Sequence, residues 1–108
     1  KDYVEGLSIL GGEPMHPKNI RGTTELAKAF KEKFPNKSLW VWSGFTFDRD
    51  LKDKDALKYI DVLVDGQYVD ELHNPKLEWR GSSNQRVIDV QESLKANKVI
   101  LFNKKNVN

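Results

Sequence analysis

The sequence predicts an α/β fold with buried, mostly parallel strands, and three observations carry that expectation. Short apolar runs at 7–10, 39–42 and 60–64 are each followed by a turn containing glycine, as buried strands with tight exits are. The segment between the first two runs repeats apolar residues every four positions, and the segment between the second and third starts on aspartate and is short and charged. Strand, helix, strand, helix, strand at this spacing describes βαβ units, whose crossovers are right-handed.

Residues 4–10 hold the first strand, closed by Gly11 and Gly12. Pro14 and Pro17 keep 13–19 out of helix, after which Thr23 or Thr24 is placed to cap a helix with Glu25 in its first turn. Leu26, Phe30 and Phe34 follow on one face, and Pro35 with Asn36 stops the helix. The second strand is 39–42, a short helix spans 53–59, and the third strand is 60–64, ending at Asp65 and Gly66. Beyond Gly66 the pattern weakens to an amphipathic stretch at 68–74, a polar loop at 81–84, a fourth strand at 87–90 and a fifth at 99–102. Residues 1–102 read as one domain and 103–108 as a polar tail that frays.

At 108 residues the chain suits one modest core. Eighteen Lys and Arg against sixteen Asp and Glu leave a formal charge of +2, with the signs interspersed, which argues against nucleic-acid binding. No apolar run approaches the roughly 20 residues that cross a bilayer, and no basic-then-apolar leader opens the chain, so the expectation is a cytoplasmic protein with no membrane partner. With no cysteine, these residues offer no disulfide, thiolate metal site or Cys nucleophile. His16 and His73 lie far apart without spaced carboxylates, so no metal site is assigned. Lys1 is not an initiator methionine, and an upstream extension is expected.

The segment richest in chemistry is Gly11-Gly12-Glu13-Pro14 directly after a strand. Two glycines admit close approach of a ligand to the backbone, free N–H groups can meet a polar group, and the Glu13 carboxylate can bind an ammonium. A plain turn explains the same four residues when they stand alone. Their context adds to them, because Ser43-Gly44 and Asp65-Gly66 fall at the same C-terminal ends of strands, where α/β sheets place ligands. Trp40 and Trp42 alternate on a strand and read as packing residues. Arg80 and Arg86 flank a Gly-Ser-Ser-Asn loop, either solvated surface or an anion-binding turn.

Four blocks together carry a resemblance. They are Leu7-Ser8-Ile9-Leu10-Gly11-Gly12-Glu13-Pro14, Trp40-Val41-Trp42-Ser43-Gly44-Phe45, Val62-Leu63-Val64-Asp65-Gly66, and Trp79-Arg80-Gly81-Ser82-Ser83-Asn84-Gln85-Arg86. In order and spacing the chain resembles the activating proteins of anaerobic ribonucleoside-triphosphate reductase, which are glycyl-radical activating enzymes of the radical S-adenosylmethionine superfamily, over about residues 4–102. The resemblance implies a partial βα barrel, here missing its N-terminal strand and cluster loop. It implies a 4Fe-4S cluster held by three cysteines in a C-x-x-x-C-x-x-C motif upstream of Gly-Gly-Glu, and nothing in this chain matches that motif. For the complete protein it implies reductive cleavage of S-adenosylmethionine, with electrons from an external donor such as flavodoxin, and a radical that takes hydrogen from a glycine of the reductase. The chain as given is expected to be inactive alone.

By position, Gly11, Gly12 and Glu13 would bind the amino group of S-adenosylmethionine, and Ser43 and Asp65 would line the same ligand; no residue is assigned a catalytic role. Two other readings stand beside this one. They are an activating enzyme of another glycyl-radical protein, of the pyruvate formate-lyase type, and a non-catalytic α/β interaction or nucleotide-binding module.

Overall fold

A computed structural model describes the backbone of residues 6–9, and residues 13–77 and 79–102. Gly11, Gly12, the outer positions of the first expected strand and the tail 103–108 lie outside the described residues.

Four strands form one sheet in the order β1-β2-β3-β4, with β1 at Gly6–Ile9, β2 at Ser38–Trp42, β3 at Val62–Asp65 and β4 at Arg86–Asp89. The first three are parallel: Gly6 stands opposite Ser38 and Ile9 opposite Val41, then Trp40 opposite Val62 and Trp42 opposite Val64. The fourth runs antiparallel to β3, with Val62 opposite Asp89 and Asp65 opposite Arg86. The sheet is therefore mixed. The reason lies in 66–85, where among the described residues the only regular element is a 3₁₀ turn at Asp70–Leu72, with no crossover helix to carry the chain to the far end of the sheet.

Helix α1 spans Ile20–Lys33 and so begins four residues earlier than a cap at Thr23 allows. Neither threonine caps it. Thr23 Oγ1 donates to the Pro14 carbonyl and Thr24 Oγ1 to the Ile20 carbonyl, both at 2.7 Å, so the hydroxyls serve a loop carbonyl and the preceding turn. The buried positions are Thr23 and Ala27, flanked by the partly buried Ile20 and Phe30. Leu26, expected on the apolar face, is 50% exposed, because small Ala27 is the residue that lets the helix sit close to the sheet. Pro35 follows the end of the helix as expected.

Leu39 and Val41 of β2 point into this core and Trp40 and Trp42 to the opposite side. All four residues of β3 are buried, as befits a strand covered on both faces. Met15, Phe47, Leu51, Ala56, Leu57, Ile60, Leu63, Ile88 and Val90 complete the cluster.

Several local expectations change. Residues Phe47–Leu51, to which no element is assigned from sequence, form a π-helical turn, and the short helix expected at 53–59 is a 3₁₀ turn at Asp55–Tyr59. Ile60 packs in the core ahead of β3 rather than within it. Val90, assigned to the fourth strand, instead opens helix α2 at Val90–Ala96. Asp89 Oδ1 accepts from Glu92 N at 3.1 Å as its N-cap, and Asn97 ends it in the left-handed region at φ 56°. The expected fifth strand reduces to one bridge between Leu101 and Ile88, because Ser93 of α2 holds Ile100 and leaves few residues to pair.

Candidate functional site at the C-terminal strand ends

At one end of the sheet Glu13 ties the loop after β1 to the exit of β2, and the exits of β2 and β3 are tied by Gly66 N, which donates to the Phe45 carbonyl at 3.0 Å. Glu13 Oε2 accepts from Ser43 Oγ at 2.7 Å and from Met15 N at 3.0 Å, and its Oε1 accepts from Gly44 N at 2.6 Å. Ser43 Oγ in turn accepts from Phe45 N at 3.0 Å. Space is tight at Gly44: a Cβ on it would lie 3.2 Å from Glu13 Oε1, so a larger residue would press on that carboxylate. Among the described residues these three donors occupy about three of the roughly four acceptor positions of a carboxylate. Glu13 is half-buried, and Ser43 is buried with its hydroxyl committed to this network.

Asp65 sits at the end of β3 with only 1% of its surface exposed. Its carboxylate takes a two-pronged grip from Arg86, Nε to Oδ1 at 3.0 Å and Nη2 to Oδ2 at 2.6 Å, and also accepts from Phe47 N at 2.8 Å. Arg86 Nη2 reaches Asp48 Oδ1 at 2.8 Å. The hydrogen bond to Asp65 raises the Arg86 pKa above its ordinary range, and the hydrogen bond from Arg86 lowers that of Asp48. A cleft of about 550 Å³ opens beside this pair, with Gly44, Thr46, Arg49, Asp65, Gly66 and Gln67 among its walls. Gly66 turns the chain out of β3 at φ 92°, a conformation that suits glycine.

The Trp79–Arg86 stretch is tied to the same end of the sheet. The Gln85 side chain donates to the Gly66 carbonyl at 3.0 Å and accepts from Gly81 N and Ser82 N at 3.0 and 3.1 Å. Ser82 is fully buried, accepting from Val69 N and donating to Asn84. Arg80 Nη1 donates to the carbonyls of Gln85 and Ser83 at 2.7 and 3.2 Å, so its guanidinium braces its own loop.

Thus Glu13 and Ser43 are in direct contact, whereas Asp65, with Arg86 as its partner, lines the cleft, of which neither Glu13 nor Ser43 is a wall. Sequence reasoning passed over Arg86 as the partner of Asp65, gave Gln85 no role of its own, and missed Asp48 altogether. Antiparallel pairing of β4 puts Arg86 directly opposite Asp65, a register that no sequence spacing discloses. His16 and His73 stay apart: His16 Nδ1 accepts from Lys18 N, and His73 meets the Tyr68 ring edge-on at 6.0 Å.

Among the described residues no group of three His, Cys, Asp or Glu is placed to hold a metal ion, and the whole chain has no cysteine. A 4Fe-4S cluster needs mainly thiolate ligands, so this donor set does not fit one.

Comparison with known proteins places the chain. Residues 1–88 match the family described as 4Fe-4S single cluster domain. The chain is 44% identical over 87 residues to the anaerobic ribonucleoside-triphosphate reductase-activating protein of Enterobacteria phage T4, covering 81% of this chain and 54% of that protein. It is 47% identical over 81 residues to the protein of the same name in Vibrio cholerae, covering 74% and 52%. For the Escherichia coli protein the figures are 40% over 84 residues, covering 77% and 54%. The chain thus spans about half the length of the curated relatives it matches. No solved structure matches it significantly.

Proposed function

This chain belongs to the 4Fe-4S single cluster domain family, and from that premise we propose that it is the S-adenosylmethionine-binding portion of an activating protein for anaerobic ribonucleoside-triphosphate reductase. The observation that carries the reading is 40–47% identity to proteins of that name over 74–81% of the chain. In this reading S-adenosylmethionine, when bound, supplies the adenosyl group for one-electron cleavage chemistry, and the glycyl radical is formed on the reductase. The electrons come from an external donor such as flavodoxin, and the setting is cytoplasmic. No step is assigned through a cluster, since these residues do not fit one.

The task of this chain's residues is binding and orientation. Gly11, Gly12 and Glu13 hold the ammonium of the methionyl group, Glu13 through the carboxylate that also holds its three described donors. Ser43 fixes the rotamer of Glu13 through the 2.7 Å hydrogen bond. Asp65 lines the adjoining cleft, and Arg86 neutralises its charge so that the cleft does not carry a bare buried carboxylate. Residues 1–102 act as one domain in this reading, and the sheet forms part of a partial βα barrel completed in the whole protein.

Calorimetric titration of S-adenosylmethionine into the chain tests this. Glu13→Gln keeps the size of the side chain but removes the charge, and it is expected to weaken binding roughly 10-fold to 150-fold, the loss of one charge-assisted hydrogen bond. Equal affinity in the two proteins, with circular dichroism showing both folded, would return Glu13 to a purely structural role.

A further inference from the structure

All three tryptophans of the chain gather on the side of the sheet away from the core. The Trp40 ring lies 5.9 Å from Trp42, 5.3 Å from Trp79 and 5.2 Å from Phe102, and Trp79 lies 5.5 Å from Phe102. The Trp42 indole N–H donates to the Trp79 carbonyl at 2.7 Å. Trp79 itself has φ 68°, a left-handed conformation that is costly for a bulky side chain and persists only where its surroundings impose it. Even so, 37% of Trp79 remains in solvent. A residue strained, pinned and still exposed contributes less to the core than its size permits, which points to a role at the surface.

That ring is one wall of a cleft of about 370 Å³, with Leu77, Leu101 and Phe102 as further apolar walls and Lys76 and Arg80 among its charged residues. Leu101 is 60% exposed, so the apolar surface continues beyond the cleft. No described residue lining it is acidic. Arg86 reaches it too, but its charge is met by Asp65 and Asp48, so among the described lining residues Lys76 and Arg80 carry the remaining charge, and it is positive. A tryptophan wall beside an arginine is the composition of a protein-binding hot spot, and the exposed leucine adds apolar surface to it. Arg80 is already committed to two backbone carbonyls, so it offers a positive field rather than the open fork that grips a phosphate.

We propose that this cleft docks an acidic segment of a partner protein, which inserts an apolar side chain against Trp79 and Phe102 and sets carboxylates beside Lys76 and Arg80. The proposal stands apart from the ligand assigned to Glu13 and does not depend on it.

The chain's own fluorescence reads the outcome, because every tryptophan lies at or beside the cleft. A short synthetic peptide of glutamates around a central leucine is titrated into the chain, with a lysine counterpart and ATP as separate arms. The glutamate peptide is expected to shift the emission, with an affinity that falls at about 0.5 M salt. Lys76→Glu, at an exposed position where folding is undisturbed, is expected to lower that affinity roughly tenfold, and Leu101→Ala to lower it as well. Lys28→Glu, on α1 across the sheet, is expected to change nothing. Three results would each overturn the proposal: no shift with the glutamate peptide, a shift that Lys76→Glu and Leu101→Ala leave intact, or a response to ATP in place of the peptide.

Discussion

At the scale of single residues, two carboxylates at the strand ends do different work. Glu13 is half-buried and holds three neutral donors, so an approaching cation still gains from its charge. Asp65 is buried and met by a guanidinium, so its charge is used within the fold. Removing one member of such a pair leaves the other desolvated and unmatched. Asp65→Asn is expected to cost about 2–4 kcal/mol in urea unfolding, somewhat under the range for a fully buried pair because Arg86 is partly solvated. The double variant Asp65→Asn, Arg86→Met is expected to cost less than the two single changes summed, and strict additivity would show that the pair does not act as a unit. Glu13 was legible in the sequence, since a carboxylate after two glycines at a strand exit has a physical meaning of its own. The Asp65–Arg86 pair was not, because 21 residues separate its members and only the strand register brings them together.

At the scale of elements, the alternation of apolar runs was enough to locate β1, β2, β3 and α1, and the direction of the first three strands followed from the lengths between them. The face of α1 was misjudged because large apolar residues were counted and Ala27 was not, although close packing against a sheet favours the small residue. Helix α2 escaped notice for a related reason: Val87 to Val90 reads as a strand by hydropathy, whereas Asp89 followed three residues later by Glu92 is a helix start. Two meanings overlap on the same residues, and the cap decides. Asp89→Ala is accordingly expected to destabilise the chain by about 0.5–2 kcal/mol, with the loss of hydrogen-exchange protection concentrated in 90–96. Uniform loss across the sheet would mean that α2 and β4 unfold as one body and that the cap has no separate effect.

At the scale of the whole molecule, family membership and composition pull apart, since residues 1–88 match a cluster-binding family and supply no thiolate. Anaerobic treatment of this chain with iron and sulfide is expected to leave no iron–sulfur absorption associated with folded protein. A stable, stoichiometric 4Fe-4S spectrum would mean that ligands of another kind suffice. Arg86 carries a different consequence, for its side chain borders both the cleft beside Gly44 and the cleft beside Trp79. A molecule that moves the guanidinium from one side changes the wall seen from the other, and thermodynamic linkage then obliges each occupant to alter the affinity of the other by the same factor. One arginine would thus let the two clefts sense each other's occupancy with no hinge or domain motion, and equal affinities with the other cleft filled or empty would show that it stays still.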